Sequence, residues 1–325
     1  MPSQTKKIKN NITHKNNYCG LFLKGRHWNI EKYDRKNTLL ENGNPLSMKQ
    51  FKKGVSYRGQ PIKLLKKIGA GSYGDIYKGK YNGVHLIIKI IKMSKKHKDE
   101  KTKINFYNEI IIHSTLYCYP QSIGIPNVYF YTKYNSINNR PTYMMAIRTM
   151  DGTAREFLKN IDRYPVKRQG ELIKAMYISV ANIIELYQSQ YEFHHRDLHT
   201  SNVMYKKIGD RYEWYIIDFG MSVIKTPEGR VINGAQTSIY NEYIRPNYGH
   251  DLRLFLVSSV HKLPPHQVDK YVEWKDTLLN RITSQTAIER DDDKPEFHMC
   301  YHDAFDVESP ETTPQAFRKR IENIS

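Results

Sequence analysis

Hydrophobic positions in the first half of the chain recur in short runs that are typical of β-strands. Five such runs predict strands at 62–68, 75–78, 84–91, 128–131 and 142–147. Asn82-Gly83 separates the second and third runs and is a strong signal for a tight hairpin. After the third run, apolar residues three and four positions apart predict a helix over 101–117. We therefore expect five strands and one helix in this half.

The second half of the chain has a mainly helical pattern. Its clearest helix, over 171–190, carries apolar residues at three- and four-residue intervals: Leu172, Met176, Val180, Ile183 and Tyr187. Further helices are predicted at 250–262, 266–286 and 314–324. Two short strands, 202–205 and 212–217, predict a hairpin that turns at Gly209-Asp210. The pattern thus indicates an α+β fold, with a strand-rich smaller part followed by a helix-rich larger part.

Positive charge is concentrated at the N-terminus. The 325 residues include 51 Lys and Arg against 33 Asp and Glu, a net charge of +18, and residues 1–53 supply +9 of it. Apolar periodicity is weak up to about residue 40, which indicates a flexible segment. We interpret 1–55 as a basic N-terminal extension, followed by domains at 56–150 and 151–325. The extension could contact nucleic acid or an anionic surface, although a solubilising tail is the simpler interpretation.

Composition excludes several classes of protein. No run approaches the roughly 18 uncharged apolar residues that a membrane helix needs, and the N-terminus lacks the apolar region of a secretory signal. The three cysteines, Cys19, Cys118 and Cys300, have no C-x-x-C spacing, so we expect reduced thiols in an intracellular protein. His298, Cys300 and His302 alternate, but they lack a fourth zinc ligand at the usual spacing. The acidic run 291–293 is most simply a solvated loop.

A glycine-rich segment separates the first two predicted strands. Its residues are Ile68, Gly69, Ala70, Gly71, Ser72, Tyr73, Gly74, Asp75 and Ile76. Glycines allow the backbone to approach phosphate oxygens and donate N–H bonds to them, but a tight hairpin also needs glycine. A strand rather than a helix follows the segment, which argues against a dinucleotide-binding fold.

Lys89 lies inside the apolar third strand. A charge in such a strand costs several kcal/mol unless it is paired or reaches solvent at an edge. Glu109, flanked by isoleucines on the predicted helix 101–117, is an available partner. A buried Lys–Glu pair would hold the ammonium group over the phosphates of a nucleotide.

Two further motifs follow the long predicted helix. The segment His195-Arg196-Asp197-Leu198-His199-Thr200-Ser201-Asn202 comes directly after it, and Asp218-Phe219-Gly220 follows the second strand of the hairpin. Phosphoryl transfer needs oxygen ligands for Mg²⁺ and a carboxylate that orients the attacking hydroxyl group. Asp197, Asn202 and Asp218 together supply those oxygens.

With these four motifs in this order, residues 62 to about 262 resemble a protein-kinase catalytic domain. The resemblance implies a bilobal kinase-like fold, with a five-stranded antiparallel small lobe and a mainly helical large lobe. It implies an ATP- and Mg²⁺-dependent protein kinase, more typical of Ser/Thr than of Tyr kinases, whose protein substrates the sequence does not identify. The shortened large lobe is similar to those of divergent kinases from large DNA viruses such as iridoviruses. A viral kinase would act in the host cytoplasm or nucleus, or in the virion.

The resemblance also assigns roles to individual residues. The glycine-rich segment 68–76 would bind ATP, with Ile68 and Ile76 covering the adenine, and the hinge would fall near 147–150. Lys89, held by Glu109, would bind the α- and β-phosphates. Asp197 would orient the substrate hydroxyl, while Asn202 and Asp218 would bind Mg²⁺. Asp251 resembles the buried aspartate that supports the catalytic loop, although a helix cap would also explain it.

Several features depart from the kinase pattern. His199 stands where Ser/Thr kinases usually carry a lysine, and no Ala-Pro-Glu motif precedes Asp251. Candidate phosphorylation sites between the two motifs are Thr226, Thr237, Ser238 and Tyr240, with Arg196 as a partner for a phosphate. Two alternatives therefore stay open: a small-molecule phosphotransferase with the same fold, and a pseudokinase that serves as a binding module.

Overall fold

Strands and helices occupy different parts of the chain, and they form two separate compact units. The computed structural model describes residues 19, 48–57, 60–71, 74–92, 100–135, 141–234, 248–286 and 310–324. The first unit comprises 1–122 and 126–149, and the second comprises 123–125 and 150–325. The main boundary lies between Thr149 and Met150, within the segment predicted as a hinge. The predicted α+β organisation, strand-rich first and helix-rich second, is confirmed.

The first unit is a six-stranded antiparallel sheet with one long helix. In chain order its elements are α1 (Met48–Lys53), β1 (Val55–Tyr57), β2 (Gln60–Gly71), β3 (Gly74–Tyr81), β4 (Val84–Lys92), α2 (Glu100–Cys118), β5 (Val128–Asn135) and β6 (Pro141–Arg148). The strand order is β1-β2-β3-β4-β6-β5. All five predicted strands are present, whereas the short edge strand β1 and the short helix α1 were not predicted.

Alternating apolar residues explain the core of this sheet. Ile62 and Leu64 on β2, together with Leu86, Ile88 and Ile90 on β4, are buried at every second position. The predicted Asn82-Gly83 hairpin is present, and both residues have the positive φ angles, 47° and 76°, that a two-residue turn of this kind requires.

One expectation about the first unit is wrong. The cysteine spacing predicted reduced thiols, but Cys19 and Cys118 form a disulfide across a sequence separation of 99 residues. Cys118 is the last residue of α2, and both cysteines are buried. Cysteine spacing could not indicate this pair, because cysteines so far apart in sequence meet only through the tertiary fold.

The second unit is built mainly from helices. Its elements are β7 (Gly152–Thr153), α3 (Ala154–Lys159), α4 (Val166–Tyr191), β8 (Val203–Ile208), β9 (Arg211–Ile216), β10 (Val223–Lys225), β11 (Val231–Asn233), α5 (His250–Val260), α6 (Pro265–Thr286) and α7 (Pro314–Asn323). Short 3₁₀ turns lie at Ile161–Arg163, Phe219–Met221 and Pro310–Thr312. The predicted helices and the hairpin at Gly209 are present, whereas α3, β7 and the β10–β11 pair were not predicted.

The long helix α4 is the centre of the second unit. Its Tyr177 is fully buried, donates or accepts a hydrogen bond with Ser259 on α5, and contacts the ring of Phe317 on α7. Arg318 on α7 pairs with Glu185 on α4. α7 therefore packs along α4 through an apolar contact and an ion pair on the same two elements.

Some predictions concern residues outside those that the structure describes. They are the extension up to residue 47 apart from Cys19, the turn residues Ser72 and Tyr73, the candidate sites Thr237, Ser238 and Tyr240, the acidic run 291–293, and His298, Cys300 and His302. Within the described ranges, no helix combines the length and apolar character needed to cross a membrane.

Candidate functional site

The glycine-rich segment forms the hairpin between β2 and β3. Gly71 lies opposite Gly74, Ala70 opposite Asp75, and Gly69 opposite Ile76, so the two strands stay paired up to the turn. The carboxylate of Asp75 is held by Lys67 at 2.6 Å. Ile76 is half-buried, whereas Ile68 is exposed.

Position 74 requires a glycine for two reasons, its backbone angle and its close packing against β4. Its φ is +151°, and a Cβ atom at this position would lie 2.4 Å from the carbonyl oxygen of Ile90 on β4. At Gly69, by contrast, an added Cβ would meet Ile76 at an ordinary 3.8 Å. Gly74 thus sets how closely the hairpin approaches β4.

Lys89 and Glu109 form the predicted ion pair. Nζ of Lys89 on β4 lies 2.7 Å from Oε1 of Glu109 on α2, and the side chains are 16% and 5% exposed. Lys89 is directly opposite Ile76 on β3, so both side chains are on the same face of the sheet. The pair therefore fixes a partly buried ammonium group next to the strand that follows the glycine-rich turn.

His113 is a neighbour of this pair that the sequence analysis missed. It lies one helical turn after Glu109, is fully buried, and has Nε2 2.9 Å from the carbonyl oxygen of Pro126. Burial, and to a smaller extent the charge of Lys89, lowers the pKa of His113 to about 4 despite that hydrogen bond. A neutral imidazole therefore lies one helical turn along α2 from the glutamate of the ion pair. The four-residue spacing from Glu109 was the available signal.

In the second unit, the side chain of Asp251 binds backbone N–H groups of the loop that follows α4. The N–H groups of His195 and Arg196 donate to Oδ2 and Oδ1 of Asp251, both at 2.8 Å. Asp251 is fully buried in the first turn of α5, and burial raises its pKa to about 6 although the two N–H bonds oppose the rise. The loop-support interpretation of Asp251 is confirmed, since its carboxylate accepts from the loop rather than from its own helix.

Ser258 continues the same contact and was not predicted. It lies seven residues after Asp251, on the same face of α5, and its Oγ accepts a 3.2 Å bond from the N–H of Thr200. The spacing of seven was the signal that could have identified it. One face of α5 therefore binds both ends of the loop.

Three of the predicted site residues lie together in this loop region. The Nδ2 group of Asn202 donates to the backbone oxygen of Asp197 at 2.8 Å and to its Oδ2 at 3.1 Å. Burial and the nearby charge of Asp218 raise the pKa of Asp197 to about 7. Asp218 has left-handed backbone angles, φ 65° and ψ 72°. The two carboxylates and the amide thus form one polar cluster.

His195 and Phe219 support this cluster from the apolar side. Nδ1 of His195 accepts from the N–H of Asp197 at 3.3 Å, so the 2.9 Å contact of its Nε2 with the Ile217 carbonyl oxygen is a donated bond. Burial lowers the pKa of His195 to about 4, which agrees with a neutral ring. Phe219 is fully buried, with its ring centre 5.6 Å from that of His195. The His195 ring thus binds the backbone N–H of Asp197 and the carbonyl oxygen of Ile217, the residue before Asp218, and the Phe219 ring packs near it.

His199, the departure from the kinase pattern, contacts Asp197. Its Nδ1 accepts from the N–H of Ser201 at 3.1 Å, and its Nε2 lies 3.5 Å from Oδ1 of Asp197. Burial is the main cause that lowers the pKa of His199. The ring therefore presents a neutral N–H to the carboxylate rather than the permanent positive charge of a lysine.

The oxygen atoms of the cluster fit a Mg²⁺ ion. Because Nδ2 of Asn202 donates to Asp197, its Oδ1 is the atom left for a metal, and Asp218 adds a carboxylate. Mg²⁺ is usually held by one or two carboxylates together with substrate phosphates and water. No group of three or more His, Cys, Asp or Glu side chains in the described part of the chain could hold a metal alone.

One candidate phosphorylation site is buried in the observed conformation. Thr226 follows β10, is only 3% exposed, and its N–H donates to the carbonyl oxygen of Arg230 in the β10–β11 turn. A kinase could not reach this hydroxyl without opening the turn. Arg196, expected to pair with a phosphate, donates from Nη1 to Oδ1 of Asn233 at 3.2 Å.

Comparisons with known proteins agree with this geometry. A family model described as "Protein kinase domain" matches residues 62–248, more than half of the chain. Two proteins of Acanthamoeba polyphaga mimivirus are similar: "Putative serine/threonine-protein kinase/receptor R831" is 28% identical over 171 residues, and "Putative serine/threonine-protein kinase/receptor R818" is 30% identical over 166. Each alignment covers 50% of this chain and only 9% of the relative. The expected resemblance to viral kinases is confirmed.

Proposed function

Because the chain belongs to the protein kinase family, we propose that it transfers the γ-phosphoryl group of ATP to hydroxyl groups of proteins, Ser and Thr rather than Tyr. The observation that carries the proposal is the cluster of Asp197, Asn202 and Asp218 on a loop anchored by Asp251. The names of the two mimivirus relatives support the Ser/Thr preference.

Asp197 is the group that would act on the substrate hydroxyl. As that oxygen attacks the γ-phosphorus, its proton passes to Asp197 and the bond from the γ-phosphorus to the leaving oxygen of ADP breaks. A pKa raised to about 7 by burial and by Asp218 makes this carboxylate a better proton acceptor than an ordinary aspartate. The Asn202 amide orients this carboxylate by donating one hydrogen bond to its Oδ2 and a second to the backbone oxygen of Asp197.

The other site residues would bind the nucleotide and the metal. Bound Mg²⁺ would neutralise charge on the triphosphate, with Asn202 and Asp218 as its protein ligands. In the first unit, Lys89 would bind the α- and β-phosphates, because Glu109 fixes the position of its ammonium group. The glycine-rich segment 68–76 would contact the phosphates through its backbone.

The test is phosphoryl transfer from radiolabelled ATP to a panel of generic protein substrates, with Mg²⁺ and the full-length chain. We expect Asp197→Asn to lower the transfer rate at least about 100-fold while nucleotide affinity changes little. Lys89→Met should lower both the rate and productive nucleotide binding. A matched control is Asp210→Asn, which changes an exposed aspartate in the β8–β9 turn of the same unit. Equal transfer by the wild-type and Asp197→Asn proteins would refute the proposal.

A small-molecule phosphotransferase is the second candidate, favoured by the neutral His199 beside Asp197. Adding sugars and aminoglycosides to the same assay separates the two. Label on a small molecule, with none on any protein, would support this candidate. ATP binding without transfer to any acceptor would instead support a pseudokinase.

A further inference from the structure

Four lysines form two opposed pairs on one face of the sheet in the first unit. Lys63 on β2 lies directly opposite Lys80 on β3, and Lys66 on β2 lies opposite Lys78 on β3. Opposed residues of an antiparallel pair project from the same face, with Cβ atoms about 5 Å apart. We call these four residues the lysine face.

An irregularity in β2 creates this arrangement. Lys63 and Lys66 are three residues apart, so a regular strand would place them on opposite faces. The register shift between Leu64 and Lys66 adds one residue to β2 and returns Lys66 to the face of Lys63. On the next strand, β4, His85 lies opposite Lys80 and Ile87 lies opposite Lys78.

Among residues 48–92, the lysine face has few counter-charges. Residues 48–92 contain eleven Lys and Arg but only one acidic residue, Asp75, a net charge of +10. Asp75 is already paired with Lys67 at 2.6 Å. Lys63, Lys66 and Lys78 are exposed and Lys80 is half-buried, and none of them forms an ion pair with another described residue. Like charges directly opposite each other destabilise a sheet, so an anion bound to this face would reduce the repulsion between the lysines.

We propose that the lysine face binds the phosphate backbone of nucleic acid. A polyanion of high charge density, with a charge on every nucleotide, is complementary to closely spaced ammonium groups on an open sheet surface. Lysines, as compact point charges, suit phosphate contacts that carry no base specificity. The whole chain, at +18, would attract such a polyanion over distance. The proposal is independent of phosphoryl transfer.

The lysine face lies on the same face of the sheet as the residues proposed to bind ATP. Lys78 and Lys80 are two and four residues beyond Ile76 on β3, which places them about 7 and 13 Å along the strand on the face that also carries Lys89. A bound nucleic acid would therefore lie along the same sheet face as the Lys89–Glu109 pair.

The test uses fluorescence anisotropy of a labelled 20-base-pair DNA duplex of mixed sequence, titrated with the full-length chain at several salt concentrations. The variant replaces all four lysines of the lysine face by glutamine. For duplex DNA, each lost phosphate contact reduces the slope of log K against log salt by about 0.9. We expect the slope to fall by about 3 to 4 and affinity at about 0.1 M salt to fall more than tenfold.

The matched control removes the same number of charges from the second unit, by glutamine at Lys159, Lys167, Lys174 and Lys319. It should change affinity less than twofold. Thermal unfolding of the lysine-face variant should be no lower than that of the wild type, because glutamine removes the opposed charges without altering the core.

Four outcomes would overturn the proposal. They are no duplex binding by the wild-type chain, equal losses in the lysine-face and control variants, loss only when residues 1–47 are deleted, and lysine-face-dependent binding to polyglutamate or phosphatidylserine vesicles without binding to DNA. The last outcome would identify an acidic protein segment or a membrane surface as the partner instead.

Discussion

Protonation of His113 should make the first unit sensitive to acid. The buried ring lies one helical turn from Glu109, and burial lowers its pKa to about 4, against about 6.5 in an unfolded chain. The unfolded state therefore binds a proton first as the pH falls. The stability contributed by neutral His113 is complete above about pH 6.5 and is lost progressively toward pH 4. Between pH 7.5 and 5 the loss is about 2 kcal/mol.

Urea unfolding at these two pH values measures this effect. In His113→Gln, whose side-chain amide can still donate to the Pro126 carbonyl oxygen, the pH-dependent loss of unfolding free energy should be smaller than in the wild type by that amount. His85→Gln is the control, because His85 is exposed on β4 in the same unit. An unchanged pH dependence in His113→Gln would mean that the buried ring does not control acid stability.

Single residues were predictable where a motif fixes their spacing. Lys89 and Glu109 could be paired from the sequence because an isolated charge in an apolar strand needs a partner. The spacings of four and seven residues were signals for His113 and Ser258 but did not decide their contacts, since a histidine or serine is common on either face of a helix. Only the fold shows that His113 is close enough to feel the charge of Lys89 and that Ser258 contacts the loop.

At the scale of elements, the hairpin between β2 and β3 should depend far more on one glycine than on another. Gly74→Ala forces a Cβ atom to 2.4 Å from the Ile90 carbonyl oxygen at a φ of +151°. The Cβ would be attached to the backbone of β3, and the oxygen belongs to the backbone of β4. Because these two strands are paired, neither atom can move without disturbing the sheet. We expect this variant to lower the free energy of unfolding by about 2–3 kcal/mol.

Gly69→Ala is the matched control in the same hairpin. Its Cβ would contact Ile76 at 3.8 Å, an ordinary packing distance, so the loss should stay within about 0.5 kcal/mol. Chemical denaturation of both variants makes the comparison. Equal destabilisation would show that general loss of glycine flexibility, rather than contact with β4, governs the hairpin.

Elements were predictable in proportion to their length. α4 spans several turns, so its apolar period was clear, and strands of six or more residues showed their alternation. β1, β10 and β11 have three residues each, too few for any period to appear. α3 is also short, but Thr153 and Glu156 form a capping box, whose Thr-x-x-Glu pattern is a sequence signal for the start of a helix.

At the scale of the whole molecule, a covalent link was the feature least accessible to sequence reasoning. Three cysteines without close spacing indicated free thiols, yet the tertiary fold brings Cys19 to the end of α2. The link joins the N-terminal extension to the helix that carries Glu109. Its effect on stability should therefore appear in the first unit.

Reduction of this disulfide should destabilise the first unit selectively. Closing a loop of this size typically contributes about 2–4 kcal/mol, mainly by restricting the unfolded chain. Thiol titration in denaturant should give one thiol per chain before reduction, Cys300, and three afterwards. In scanning calorimetry, dithiothreitol should lower the transition that Gly74→Ala also lowers. The transition lowered by Phe317→Ala, whose ring packs against α4 in the second unit, should not move.

Two variants separate the disulfide from other effects of the reductant. Cys118→Ser should reproduce the lower first-unit transition without dithiothreitol, whereas Cys300→Ser should behave as the wild type. Three titratable thiols before reduction would contradict the link, because a disulfide removes two of them. A shift of both transitions by the same amount would mean instead that the two units unfold as one, so that a constraint on the extension stabilises the entire chain.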